Sequence, residues 1–294
     1  MARIQTFTVV PILLLAGCSS GPRRIVVGSK NFTESILLGE IVAAQLERKL
    51  GQPVDRKLNL GGTLLAHQAL VSGAIDLYPE YTGTALTTVL KEAPPNDRGR
   101  VFAQVAKAYE ERWHVRWLPP LGFNNTFAML VRSETARAGG LATISDAARR
   151  PQPWRLAAGY EFLQRPDCLG LLSTYNLRLD GQPVSMDLGL VYQALEGKQV
   201  DMAAAGATDG QLGILDVVVL ADDKHYFPPY ECAVLVREPA LAGYPGMLAA
   251  LAKLSGKIGD AAMRRMNRQV EGEHRPVRDV AAEFLDRLSN GAGE

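Results

Sequence analysis

The chain has 294 residues, 47% of them hydrophobic and 21% charged, with a formal net charge of +1. This is ample apolar material for one large or two medium domains. The near-zero charge excludes the basic footprint of a nucleic-acid binder, and no apolar run is long enough to span a membrane as a helix.

The N-terminus stands apart from the fold. Met1-Ala2-Arg3 supplies a positive charge, Phe7 to Leu15 a short apolar core, and Leu15-Ala16-Gly17-Cys18 an ending before Ser19-Ser20-Gly21-Pro22. This is a secretory signal in outline. Its last four residues resemble the bacterial lipobox, whose cysteine becomes the lipidated first residue of the mature protein. The resemblance implies a signal peptide over residues 1–18, lipidation at Cys18, and a lipid-anchored place in the bacterial envelope, in the periplasm, without a spanning helix. A plain cleaved signal with a chance cysteine is the alternative. Gly17 to Gly21 also spells G-x-S-x-G, but without the strand before and the helix after that a nucleophile elbow needs. Cys168 and Cys232 remain. An oxidising compartment permits a bond between them, yet two cysteines make no disulfide framework.

Arg24 to Gly28 predicts a strand. Thr33 reads as the cap of a helix to about Leu50, with Glu34 in its first turn. Leu37, Ile41 and Ala44 share its inner face with Leu38 and Val42 beside them, while Glu40 and Glu47 fall outside that arc. Gly51 ends it. Val54 to Leu60 alternates as a second strand. Gly61-Gly62-Thr63 opens a helix through Val71, closed by Gly73. Ala74 to Tyr78 predicts a third strand that turns at Pro79 and restarts as a helix near Thr82. Strands and helices alternate with short links, which predicts a parallel sheet with helices on both faces.

Pro94-Pro95-Asn96-Asp97 is a break, Arg98 to Trp113 an amphipathic helix and Val115 to Leu118 a strand. Pro119-Pro120-Leu121-Gly122 reads as a crossing into a second α/β unit over about 123–225. Strands are expected there at Thr126 to Val131, Arg155 to Ala158, Val200 to Ala205 and Val217 to Leu220. Helices are expected from Thr143, near Leu169 to Tyr175, and at Gly189 to Glu196. Tyr226-Phe227-Pro228-Pro229-Tyr230 reads as the crossing back. Ala240 to Leu288 is helical in pattern, with breaks at Gly256 and Pro276. One lobe thus comprises 24–122 plus 226–294 and the other 123–225, a clamp whose natural ligand site is the cleft. A disulfide between Cys168 and Cys232, both near cleft motifs, would restrict such a clamp, which favours two buried thiols.

Asp76-Leu77-Tyr78-Pro79-Glu80-Tyr81-Thr82-Gly83-Thr84 is the focal stretch. A strand giving way to a helix N-terminus is where open α/β sheets bind ligands. The helix start suits an anion and the Tyr81 ring suits a cation. An ordinary strand–turn–helix with a half-buried tyrosine is the plainer reading. His67, His114, His225 and His274 are scattered without metal-ligand spacing, so no metal is expected. No Walker loop or dinucleotide fingerprint appears, so no cofactor is expected. No nucleophile–base pair is legible, so no catalytic residue is assigned. The arginines at 98, 100, 112 and 116 read as solvated faces. Arg264, Arg265 and Arg268 read likewise, or face a partner.

Seven motifs occur in order: Gly28-Ser29-Lys30-Asn31-Phe32-Thr33-Glu34, Leu60-Gly61-Gly62-Thr63, Tyr78 to Thr84, Gly122-Phe123-Asn124-Asn125-Thr126, Gln164-Arg165-Pro166-Asp167, Thr208-Asp209-Gly210 and Phe227-Pro228-Pro229-Tyr230. Together they resemble the substrate-binding proteins of osmoprotectant ABC importers, which take up glycine betaine, choline and related quaternary amines. The resemblance covers about residues 24–288. It implies an α/β, type II periplasmic-binding-protein fold of two lobes that closes on a small zwitterionic solute and docks, as a monomer, on an ABC permease in the inner membrane. It also implies ligand-binding roles residue by residue. Tyr81 and Tyr230 match two walls of a tyrosine box, and Phe127 falls where a third tyrosine is usual. The backbone carbonyl of Asn125 matches one facing the cation, and Lys30, Thr84 and Arg165 match the carboxylate contacts. The fourth wall falls on Gly206-Ala207, which has no ring; Tyr160 is a candidate to fill the gap.

Each role has a structural alternative. Lys30 could cap a loop, Arg165 could pair with Asp167, Phe127 could be core, and Tyr230 could pack the hinge. A methylated ammonium has no N–H to donate, so aromatic faces select it, at about 0.5–2 kcal/mol each. Losing one ring predicts roughly tenfold weaker binding than in a four-tyrosine member. Choline would leave Lys30 and Arg165 desolvated without an anion, which favours a carboxylated ligand such as glycine betaine. The same clamp tuned to an amino acid, an envelope enzyme, and a structural or sensory lipoprotein are the competing readings.

Overall fold

The structure is a computed structural model describing residues 24–93 and 97–291. The expected signal peptide with Cys18, the Pro94-Pro95-Asn96 break and the Cys168 and Asp167 side chains lie outside what it describes. The strands, in chain order, are β1 (Ile25–Gly28), β2 (Val54–Lys57), β3 (Leu77–Tyr81), β4 (Val115–Trp117), β5 (Phe127–Arg132), β6 (Leu156–Gly159), β7 (Val184–Met186), β8 (Met202–Gly206), β9 (Val217–Leu220) and β10 (Cys232–Arg237). The helices are α1 (Thr33–Leu50), α2 (Thr63–Val71), α3 (Thr82–Thr84), α4 (Arg98–Trp113), α5 (Ser133–Gly139), α6 (Ile144–Ala148), α7 (Tyr160–Gln164), α8 (Pro166–Tyr175), α9 (Leu188–Glu196), α10 (Glu238–Gly243), α11 (Met247–Ala252), α12 (Asp260–Glu271) and α13 (Val277–Ser289). A π-helical stretch, Ala85–Leu90, continues α3.

These elements build two five-stranded sheets, ordered β2-β1-β3-β10-β4 and β7-β6-β8-β5-β9. The expected all-parallel sheets are mixed instead. β1 runs parallel to β2 and β3, and β6 parallel to β7 and β8, but β10 and β5 run antiparallel to their neighbours. The cause is connectivity. β5 and β10 are the first strands after each crossing, and each inserts into the middle of its sheet in the reverse sense.

β3 corrects the reading of Pro79 as a turn, because the strand runs through it to Tyr81. Val234, the partner of Pro79 on β10, points its carbonyl the other way, to the amide of Leu118. Pro79 therefore sits at a non-hydrogen-bonded position and no donor is missed. β3 is buried along its whole length and alternates: Leu77 and Tyr81 face one core, Tyr78 the other.

α1 starts after Phe32 without a side-chain cap, so Thr33 is its first residue rather than its cap. Burial holds it instead. Leu37, Leu38, Ile41, Val42 and Leu46 are all fully enclosed, each worth about 1.5–3 kcal/mol relative to exposure. Glu40, expected on the outer face, is also buried, because Arg56 of β2 covers it with two hydrogen bonds of 2.8 and 2.9 Å. His67 of α2 packs its ring 4.5 Å from Trp113 and 5.4 Å from Tyr109, and burial pushes its pKa down.

The two crossings lie side by side. Asn124 bridges to Glu231, the Asn125 amide donates to the Tyr230 carbonyl (3.1 Å), and the Tyr230 amide donates to Asn124 Oδ1 (2.6 Å). Backbone pairing continues along β10 through Leu118 and Leu121. Cys232, the first residue of β10, is a free and buried thiol.

Candidate ligand-binding site

The end of β3 is knitted to the second crossing by Thr82. Its amide donates to the Glu231 carbonyl (3.0 Å), and its hydroxyl accepts from the Glu231 amide (3.1 Å) and donates to the Pro229 carbonyl (3.0 Å). Gly83 follows. A Cβ there would fall 2.8 Å from the Tyr230 ring, so only glycine lets that ring lie against the turn. Tyr81, Thr84 and Tyr230, distant in sequence, are thereby brought to one place.

Arg165 reaches this place from the second sheet's side, between α7 and α8, and is buried. Its guanidinium donates to Thr84 Oγ1 (2.9 Å), Thr87 Oγ1 (3.4 Å) and the Tyr230 hydroxyl (3.1 Å). Its Cζ lies 5.1 Å from the centre of the Phe127 ring and 5.3 Å from that of Tyr230. Phe127 in turn meets Phe162 (5.1 Å), Phe227 (5.7 Å) and Tyr230 (6.0 Å). Phe162 has no place in the sequence reading, and Phe227 enters it only as a crossing and motif residue without a site role. Their aromatic character next to the Arg165 and Tyr230 motifs was the available signal.

A second group forms around Tyr81. Its hydroxyl donates to Glu34 Oε1 at 2.6 Å, and the same carboxylate accepts from Asn125 Nδ2 (2.9 Å), Thr208 Oγ1 (2.5 Å) and Asn267 Nδ2 (2.8 Å). Burial pushes the Glu34 carboxyl up, and these four donors pull it down. Burial and the neighbouring Glu34 hold the Tyr81 phenol well above its ordinary value. Phe32 lies 6.1 Å from the Tyr81 ring. Glu34 enters the sequence reading as a first-turn acid and a motif residue without a site role, because its partners come from positions 81, 125, 208 and 267.

Lys30 is held by Glu80. Its ammonium donates to Glu80 Oε1 (2.7 Å) and Thr63 Oγ1 (3.3 Å), and it stands 4.8 Å from the centre of the Tyr81 ring. Arg165, Thr84, Tyr230 and Phe127 thus form one contact group, Tyr81 and Asn125 a second, and Lys30 adjoins the second. The missing wall has a steric account. A Cβ on Gly206 would fall 2.6 Å from Asp209 Oδ1 and 2.8 Å from Asn125 Oδ1, so the space a ring needs is filled by two polar side chains. Tyr160 is 58% exposed and makes no ring contact among the described residues.

Two further acids flank Glu34 where the sheets meet. Asp209 accepts from the Tyr192 hydroxyl (2.6 Å) and the Gly206 amide (3.0 Å), and Glu271 accepts from the Gly210 amide (3.2 Å) and from Thr33. Burial pushes Asp209 up to about 6, with Glu34 adding repulsion, and pushes Glu271 up to about 7, with Asp209 adding repulsion. A carboxyl raised in the folded state binds protons that the unfolded chain has released. Stability from Glu271 is therefore full below pH 4.5 or so and is lost as pH rises to about 7. Glu271→Gln is expected to flatten this decline in melting temperature between pH 5 and pH 8. Parallel curves for variant and wild type would refute it.

Two α/β sheets meeting across paired crossings, with a charged and aromatic cluster between them, define a two-lobed periplasmic binding protein. The solved structure described as a glycine betaine/carnitine/choline ABC transporter superposes with a TM-score of 0.75 at 30% identity, over 90% of this chain and 98% of its own. The chain belongs to the family described as the substrate-binding domain of ABC-type glycine betaine transport systems, which matches residues 23–287. It is 36% identical over 268 residues to the ergothioneine transport permease/ergothioneine binding protein EgtU of Helicobacter pylori (strain G27), covering 90% of this chain but only 48% of that relative. It is 35% identical to the glycine-betaine-binding protein of Pseudomonas aeruginosa, over 88% of this chain and 86% of the relative.

Proposed function

We propose that this chain is the lipid-anchored, extracytoplasmic solute receptor of an ABC importer, and that its solute carries a trimethylammonium group and a carboxylate, as glycine betaine does. Delivery to a membrane permease follows from that role, without catalysis. The single observation that carries the reading is Arg165. A buried guanidinium crosses from one lobe to Thr84 and Tyr230 of the other, with aromatic rings on its flank. A carboxylate binding there would be held by charge-assisted hydrogen bonds, each netting about 1.5–3 kcal/mol. Thr84 adjoins it, and Lys30, beside Tyr81, has three N–H donors, of which Glu80 and Thr63 take two among the described residues. Tyr81, Tyr230 and Phe127 are the ring walls and the Asn125 carbonyl faces the ammonium, a group with no N–H for an acceptor to select. The lobes that move are 24–122 plus 226–294 and 123–225, and Cys18 bears the anchor.

The test is calorimetric titration of the purified full-length chain with glycine betaine, carnitine, ergothioneine, choline, proline and arginine. Binding of one or more of the first three, with choline weaker, is expected. Binding of proline or arginine alone would mean the clamp serves an unmethylated zwitterion, with the ring-free Gly206 wall as the reason.

A further inference from the structure

Tyr81 and Tyr230 are both ring walls in the reading above, yet their hydroxyls are bonded in opposite senses. Tyr81 donates to the Glu34 carboxylate at 2.6 Å. Tyr230 accepts from the Arg165 guanidinium at 3.1 Å. A phenol that donates to an anion becomes more phenolate-like, and density moves into its ring. A phenol that accepts from a cation loses density. Attraction of a cation to an aromatic face scales with that density, and charged hydrogen bonds polarise their partners more than neutral ones do.

Glu34 is placed to make this difference large. It is 2% exposed, and all four groups that reach it are donors: Tyr81, Asn125, Thr208 and Asn267. Four donors fill the acceptor sites of an ionised carboxylate. The Asn267 amide is oriented by a second bond, from the same Nδ2 to the Thr208 carbonyl at 2.8 Å, so its nitrogen is the atom facing Glu34. No lysine, arginine or histidine pairs with Glu34 among the described residues. The nearby ammonium of Lys30 is neutralised by Glu80 at 2.7 Å.

We propose that Glu34 is a specificity-determining residue that makes Tyr81 the ammonium-facing ring, while Arg165 makes Tyr230 the carboxylate-facing one, so that the zwitterion has one orientation in the cleft. This rests on the function proposed above. Glu34 acts through Tyr81 and through the field of its own charge, and it need not touch the ligand.

The decisive comparison uses glycine betaine and 3,3-dimethylbutanoate, which has the same shape and carboxylate with carbon in place of the ammonium nitrogen. In the full-length chain, Glu34→Gln is expected to weaken glycine betaine by about tenfold and to leave the isostere within about threefold. Tyr81→Phe keeps the ring and severs the same hydrogen bond, so the ratio should move the same way, and it decides the matter if Glu34→Gln fails to fold. A structural role would weaken both ligands alike; that outcome overturns this inference and leaves the proposed function standing. A wild type that binds glycine betaine no better than the isostere also overturns it. A wild type that binds neither of these, nor carnitine or ergothioneine, overturns the proposed function as well.

Discussion

Glu80→Ala is expected to destabilise the fold by about 3–5 kcal/mol, the cost of leaving a buried charge without its partner. Lys30 and Glu80 are 2% and 0% exposed and 2.7 Å apart. Glu80 also accepts from the Tyr81 amide (2.8 Å) and the Tyr78 hydroxyl (3.1 Å), so its loss removes one shared acceptor from three donors at once. β3, which carries Tyr78, Glu80 and Tyr81, pairs with both β1 and β10. Replacing Lys30 by methionine together with Glu80 by leucine should recover the part of the loss due to the unpaired ammonium, because an apolar pair is often as stable as a buried ion pair, but not the part due to the Tyr81 amide and Tyr78 hydroxyl. Urea denaturation reads both variants. A loss below about 1 kcal/mol for Glu80→Ala would show that Lys30 is not buried as an unpartnered ammonium in the variant.

Arg165→Ala is expected to weaken a carboxylated betaine by about a hundredfold or more, since two charge-assisted bonds are lost from an enclosed site. Choline, with no carboxylate, should lose far less. Arg165→Lys keeps the charge but not the planar fork that spans Thr84 and Tyr230, and should fall between. Equal loss for betaine and choline in calorimetry would make Arg165 a lobe-to-lobe strut rather than an anion ligand.

Much of the fold is legible in the residues. α4 is read with both ends correct, because its apolar positions repeat at helical spacing and Asp97 accepts the Arg100 amide as a true cap. β10 was missed, although Cys-Ala-Val-Leu-Val is a five-residue apolar run before Arg237. It lies between a proline-rich crossing and a long helical region, and nothing local says that it inserts between β3 and β4. Pro79 misleads for a related reason. Whether a proline breaks a strand depends on which way its partner's carbonyl points, and that partner is Val234. Glu40 is buried only because Arg56 covers it.

The site divides in the same way. Residues carried by short motifs, such as Arg165, Thr84 and Tyr230, could be named before any coordinates. Pairings between motifs could not. Lys30 with Glu80 spans 50 positions and Glu34 with Asn267 spans 233, and no periodicity connects such pairs.

The path of the chain has a mechanical consequence. β1, near one end of the described residues, and α13, near the other, both belong to the unit of the first sheet. α13 packs along α1, and Arg48 joins Asp286 at 2.7 Å. The second sheet is an excursion that leaves after Phe123 and returns before Glu231. A load applied at either end of the described chain is carried by one lobe alone. The other is joined to it covalently through two adjacent strands of backbone, so tension between the two ends of the described chain does not pass through it.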